Sequence, residues 1–443
     1  AHHALRAEVW EKALNYSRQA GEMALGRSAN REAWTHLERA IAVLPHLTQT
    51  RATREQAIDL RLAVRTCLAP LGEYARVLEL GLEAEPLAHA LNDPRREVLV
   101  YCAVSIALSH VGRCAEAVDP GQCALAIAES LRDPMLRIAA RHSVGIAYWL
   151  LGAYRTAIDF FQRDVGLELD QITARLLEPW EAGLFEQGFS RLAYLWTHAT
   201  AAICCAELGE FDEAMLQAER ALKFAQALDS LYLRAAGVGL GSVYVRKGDL
   251  QQALNLALGL QQTYAATDLP MPQLLVPAIL GEVFNLSGRI DEAVTLFEET
   301  WQFAKAKGML AHGMQVLALL GDAYGRAGRI DEAITTGQQA VDLAHRLGHR
   351  GNEARALYLL GNIHGYGANA TSARDSYQRA LTLAQELSMR PLLAQCHLAL
   401  GELAGKASNR PHAQQHLTVA AEMFRKMGMQ FWLRKAEASF QTV

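Results

Sequence analysis

A frame of small residues and one aromatic that returns every 40 positions limits this chain more than any other feature. Residues 281–293 read GEVFNLSGRIDEA and residues 321–333 read GDAYGRAGRIDEA, with glycines seven apart and the same five residues after the second glycine. That second glycine recurs at Gly72, Gly112, Gly152, Gly209, Gly248, Gly288 and Gly328, and Ala368 and Ser408 then stand in its place. The intervals are 40, 40, 57, 39, 40, 40, 40 and 40 residues, and a fainter copy at 28–33 brings the total to ten units. A chain of 443 residues is too long for one compact core. A unit this short cannot bury its apolar face alone, so like units must stack.

Each position of the frame has a steric reason. The first glycine (Gly145, Gly241, Gly281, Gly321, Gly361, Gly401) falls in mid-helix, where it costs about 1 kcal/mol against Ala. It is tolerable where a neighbouring helix passes too close for a Cβ. The second glycine is placed to end that helix in a left-handed turn. Asp212, Asp291 and Asp331 open the next helix, where a negative charge meets the helix dipole favourably. The alanine five places after the turn glycine (Ala117, Ala157, Ala214, Ala253, Ala293, Ala333, Ala373, Ala413) lets the two helices of a pair approach. An aromatic three places after the first glycine (Tyr148, Tyr244, Phe284, Tyr324) fills the space between pairs. Hydrophobic residues make up 51% of the chain and never alternate as a strand requires, so the helical pattern has no competitor.

Glycine, aromatic, glycine and alanine at these offsets resemble the tetratricopeptide repeat. The resemblance covers nearly the whole chain and implies an all-α, right-handed α-solenoid of about ten helical hairpins. The usual period of that repeat is 34, so each unit here carries about six extra residues, most simply as longer helices. The 57-residue interval breaks the rhythm. It holds 17 surplus residues between 164 and 196, with Pro179, Gly183 and Gly188 among them. The expected organisation is therefore an array over 1–163, an irregular insertion over 164–196, and a regular array over 197–443. Because repeats contact mainly their neighbours, stability should be a sum along the array, with the insertion as its weakest joint. Trp180, Phe185 and Phe189 are the insertion's candidate contact residues.

Chemistry-bearing motifs are missing. The Gly405-Lys406 pair is followed by Ala407 and has Leu400 at the other glycine position of a phosphate-binding loop. Gly237, Gly239 and Gly241 follow no strand, and Gly241 is the repeat's own packing glycine. No HExxH, no zinc-spaced cluster and no GxSxG elbow occurs. The pairs His345/His349 and His412/His416 read as surface or capping histidines. We therefore expect no catalytic, cofactor-binding or metal-binding residue. With 43 basic and 47 acidic residues and no block of one sign, nucleic acid is not an expected partner. The basic pair Arg95-Arg96 reads as a solvated helix end. No stretch reaches 18 apolar residues, which disfavours a membrane span. Seven cysteines without CxxC spacing read as buried thiols of a reducing cytoplasm.

The tetratricopeptide resemblance implies that the first helix of each pair lines a concave face, at positions six before and one after its glycine. Those positions hold Glu282, Gln315, Asp322, Arg355, Asn362, Gln395 and Glu402, with Tyr358 beside them. They form a polar, mildly acidic stripe suited to a protein or peptide partner, in which only Arg355 and Asn362 match the Lys, Arg and Asn that a peptide-carboxylate clamp needs. The opening AHHALRAEVWEKALNYSRQAGEMALGRSANREAWTHLERAI and the closing MRPLLAQCHLALGEL with MGMQFWLRKAEA are similar to the C-terminal region of large bacterial signalling proteins. In these an adenylate or guanylate cyclase domain precedes a STAND-type ATPase and then tetratricopeptide repeats. The resemblance implies a non-catalytic sensor or scaffold, whose partners include the upstream ATPase and cyclase domains of the same polypeptide, and it allows a small-molecule effector. An inducer-sensing region of a STAND-type transcriptional activator and a free-standing adaptor are the alternatives.

Overall fold

The computed structural model describes residues 9–27, 29–162, 185–227, 237–264 and 269–441. Every element among the described residues is helical, in ten successive pairs and a last single helix. The early pairs are α1 Trp10–Gly26 with α2 Asn30–Val43, α3 Arg51–Leu71 with α4 Tyr74–Leu91, α5 Pro94–His110 with α6 Cys114–Leu131, and α7 Pro134–Leu150 with α8 Tyr154–Gln162. Next come α9 Phe185–Glu207 with α10 Phe211–Ala227, and α11 Gly237–Lys247 with α12 Leu250–Tyr264. The regular series follows: α13 Pro270–Leu286 with α14 Ile290–Ala306, α15 Leu310–Arg326 with α16 Ile330–Arg346, α17 Arg350–Tyr366 with α18 Ala370–Glu386, and α19 Arg390–Lys406 with α20 Arg410–Lys426. Helix α21 Gln430–Phe440 stands last. This is a tetratricopeptide-type helical-repeat solenoid.

The regular series explains the 40-residue period. Each of its helices has 17 residues, and three residues join each to the next. The surplus over the usual repeat thus lies in the helices. Turn residues Gly288 and Gly328 are left-handed, with φ of +82° and +80°. The following N–H reaches back five residues to close the helix end, as Arg289 to Phe284 and Arg329 to Tyr324, both at 2.9 Å. Ala368 and Ser408 take the same conformation, with φ of +57° and +60°. A second left-handed residue, which the 40-residue frame does not reveal, ends each partner helix: Gly308, Gly348, Ser388 and Gly428.

The mid-helix glycines answer a large residue 16 places on, in the paired helix. A Cβ on Gly281 would lie 2.4 Å from the Phe297 ring, and one on Gly361 equally close to Tyr377. At Gly321 the residue 16 on is Gly337, and Ile363 of the next pair fills the gap. All eight frame alanines are fully buried. The arginine of the shared GRIDEA segment has a role of its own, because Arg289 lies over the Phe284 ring at 3.9 Å and Arg329 over Tyr324 at 4.1 Å.

The described helices group into two compact units. One comprises Ala1–Ala147, Phe160–Trp196 and Leu269–Met271, the other Tyr148–Asp159, Thr197–Asp268 and Pro272–Val443. In the first unit Arg95 is an exposed helix end as expected and Arg96 a half-buried one, and both are paired. Arg96 binds Asp59 of the preceding pair through two bonds of 2.9 and 2.8 Å, and Arg95 reaches Asp133 of the following pair at 2.9 Å. Asp93 also caps α5 through the Arg95 and Arg96 N–H groups, and the ion pairs to Asp59 and Asp133 tie α5 to the pairs on either side. Six cysteines are buried and Cys123 is exposed.

In the second unit repeats touch more than their neighbours. The Gly209 turn packs on Met427 and Pro391, and the Gly248 turn on Phe431 and Trp432. Arg390 donates to the Leu208 carbonyl, 182 residues away. The unit therefore curls until early turns meet the starts of α19 and α21, and the neighbour-only rule does not hold there. Residues 163–184 lie outside the described residues, as does Trp180. The backbone of α9 includes Phe185 and Phe189, whose side chains are likewise outside them.

Candidate functional site

Inside the second unit the first helices of the pairs face one another across a cavity of about 250 Å³. Its wall contains seven of the eight residues of the polar stripe, and the eighth, Gln315, donates to Glu282 of that wall at 3.4 Å. The helical period explains the gathering. Positions one and five after the packing glycine are one helical turn apart and share a face. The first of these columns gives Glu282, Asp322, Asn362 and Glu402. The second gives Arg246, Leu286, Arg326, Tyr366 and Lys406, all in the wall.

Asp322 is the most enclosed of these groups, at 1% exposure. Four donors satisfy its carboxylate: Asn285 Nδ2 at 2.7 Å, Arg326 Nε at 2.9 Å, Asn362 Nδ2 at 3.1 Å and the Tyr366 hydroxyl at 3.3 Å. Asn362 in turn accepts from the Tyr377 hydroxyl at 2.9 Å. Tyr377 packs its ring against Tyr358, and burial pushes both phenols up from their ordinary range. Glu402 accepts from Ser439 at 2.8 Å.

Arg355 is not a free groove cation. Its Nη2 donates to both oxygens of Glu207, at 2.9 and 2.6 Å across 148 residues of chain. Arg246 bridges Glu207 and Glu282, each at 2.9 Å. Glu207 and Arg355 are 6% and 7% exposed, so this is a desolvated cluster. Burial alone would raise the Glu207 carboxyl, but the Arg355 and Arg246 guanidiniums outweigh it and hold the group below the usual carboxylate range. Arg355 and Asn362 are thus already engaged, the one by Glu207 and the other by Asp322 and Tyr377.

Sequence reasoning missed Glu207, Arg246, Asn285, Arg326, Tyr366 and Tyr377. A signal existed for four of them. Glu207, Arg246, Arg326 and Tyr366 occupy the column five places after the packing position, and Glu207 carries the opposite sign to Arg246 one repeat later. What the column hides is the pairing of Glu207 with Arg355, since nothing in a local repeat specifies which unit lies opposite. Of the histidines, His345 and His412 lie on the surface as expected, and His349 and His416 do not. His349 is buried with neither ring nitrogen bonded, and burial lowers it to about 4. His416 meets His397 with Nδ1 atoms 2.9 Å apart.

Among the described residues no cluster of three or more His, Cys, Asp or Glu could hold a metal ion, and no helix is long and apolar enough to cross a membrane. Among known proteins, the tetratricopeptide-repeat family matches residues 313–386. No curated protein matches the chain. Similar solved structures include a Rap protein complexed with competence and sporulation factor, at 13% identity and a TM-score of 0.48, covering 78% of this chain and 98% of that one. The apo quorum sensor NprR from B. thuringiensis is similar at 13% identity and a TM-score of 0.49, over 80% of this chain and 97% of that one. A Signal Transduction ATPase with Numerous Domains from Pyrococcus horikoshii, which carries a tetratricopeptide repeat sensor, is similar at 13% identity and a TM-score of 0.41. That match covers 82% of this chain and 54% of the other. The ten helical pairs, their glycine turns and the match over 313–386 identify the fold as a tetratricopeptide-type α-solenoid.

Proposed function

We propose that this chain is a non-catalytic interaction and sensor region, and that the cavity of its second unit is where a partner or effector is read. The observation that carries the proposal is the concentration of charge inside that unit. Glu207, Arg246, Arg355 and Asp322 are costly to desolvate; the first three close the unit, but packing has no need of Asp322 with its four donors inside the wall. Such groups are commonly retained where a defined polar surface must be presented. In the parent protein the output would be a cyclase and STAND-type ATPase, as the similarity of the chain's two ends implies. A cytoplasmic setting goes with that assignment.

The test is affinity capture from the source cells with the native chain and with Lys406→Met/Lys435→Met, two exposed wall residues outside the Glu207 cluster. A partner retained by the native chain and lost by the variant at unchanged melting temperature supports the proposal. Identical partner sets sink it. A captured cyclase or ATPase domain would select the signalling parent, and transcription machinery the activator.

A further inference from the structure

The hydrogen-bond balance of the cavity wall is lopsided. Asp322 has four donors, and Glu282 and Glu402 are each engaged. The donors are not used up. Arg326 spends only Nε on Asp322, and Arg355 only Nη2 on Glu207. The indole N–H of Trp432, at 5% exposure, is buried without an acceptor. Lys406 and Lys435 stand at the exposed rim with no carboxylate in ion-pair range among the described residues, and the Lys435 ammonium lies 5.6 Å from the Trp432 ring. Against these, one buried acceptor, Asn285 Oδ1, is unmatched. Five cationic side chains face three acidic ones in the wall, and Glu207 behind it, bound by Arg246 and Arg355, leaves an excess of one positive charge at the Lys406 and Lys435 rim.

A buried donor without an acceptor is costly, and a charged one more so. A wall with surplus donors and surplus positive charge is completed by a ligand that brings acceptors and negative charge. Besides Asn285, Asn362 and Gln395, the remainder of the wall is aromatic and aliphatic, with Tyr358, Tyr377, Trp432 and Leu398. Its volume of about 250 Å³ sits just below the roughly 300–1,000 Å³ of ordinary small-molecule pockets. We infer that the second unit's cavity binds a small aromatic anion, a carboxylate or phosphomonoester whose charge lies between Trp432 Nε1, Lys406 and Lys435. A donor on the aromatic body would satisfy Asn285 Oδ1.

This inference rests on the sensor function proposed above, and the experiment separates the two. Calorimetry on the purified chain with no partner present uses two matched probe pairs: indole-3-acetate with indole-3-acetamide, and adenosine monophosphate with adenosine. One anion should bind roughly tenfold or more tightly than its neutral counterpart, and the pair that responds distinguishes carboxylate from phosphate. Lys406→Met/Lys435→Met should abolish that preference at unchanged melting temperature. Trp432→Phe, which keeps a ring and removes the N–H, should weaken the anion and leave the neutral probe unaffected. Equal binding of anion and neutral probe, no binding of either anion, or variants with native affinity would overturn the inference. Anion binding that leaves partner capture unchanged would retain the ligand site and remove the sensor function.

Discussion

Within the second unit, the turns at Gly209 and Gly248 and those at Gly288 and Gly328 share one sequence signal and one left-handed conformation, yet they do different work. A Cβ on Gly248 would fall 2.8 Å from Cβ of Phe431, and one on Gly209 2.4 Å from Sδ of Met427. On Gly288 or Gly328 it would meet nothing within 4 Å. The first pair of turns closes the unit on itself, whereas the second only reverses the chain. A repeat pattern records what each unit needs from its neighbour, and long-range closure is written in residues that break the pattern.

Glu207 is the residue on which that difference can be broken most severely. Glu207→Ala leaves Arg246 and Arg355 buried without their shared carboxylate, and the expected loss is about 3–5 kcal/mol. The urea midpoint, followed by hydrogen exchange at amides of α17, should report it. Replacing Glu207, Arg246 and Arg355 together by Met should recover most of that loss. Equal damage from the triple variant would mean that side-chain shape, not charge, closes the unit.

The same cluster sets a pH dependence of comparable or smaller size. The folded-state pKa of Glu207 lies below its ordinary 4.5, so the native state favours the ionised form more than the unfolded chain does. Its contribution is present above about pH 4.5 and is lost as the pH falls through the lower folded value. Urea midpoints measured downward from pH 6 should fall more steeply for the native chain than for Glu207→Gln. Parallel slopes would assign the acid sensitivity to other carboxylates.

Local architecture was legible because its causes are local. Gly281 and Ala293 announce a helix crossing and a buried contact, and each fills that role, while Phe284, expected between pairs, carries Arg289 over its ring. The polar stripe was locatable for the same reason, since one position after each packing glycine has to share a face with its counterparts. The ion-pair cluster was not, because Glu207 and Arg355 stand 148 residues apart and occupy different columns of the repeat. The partners of Arg95 and Arg96 are not legible either, because Asp59 and Asp133 arrive from adjoining pairs. His349 sits where a capping residue belongs, yet its side chain caps nothing.

Gly248→Ala should be the next largest effect. The alanine must hold a left-handed backbone, which costs about 1–2 kcal/mol. It must also displace Phe431 at its Cβ, close to the backbone, where a side chain has little freedom to yield. Together these give about 2–4 kcal/mol, and exchange at α21 amides should speed up more than at α14. Gly209→Ala should fall lower, because the atom in its way is the flexible thioether of Met427.

Gly328→Ala should have the smallest effect, and it measures the conformational component alone. No atom stands within 4 Å of the new Cβ, and the chain itself tolerates the change one repeat later, where Ala368 holds φ of +57°. The expected cost is about 1 kcal/mol, the lower end of the left-handed penalty, because alanine also restricts the unfolded chain. Subtracting it from the Gly248→Ala value isolates the contribution of closure. Two equal values would show that the early turns press on α21 without stabilising the unit, leaving the Glu207 cluster as what holds it shut.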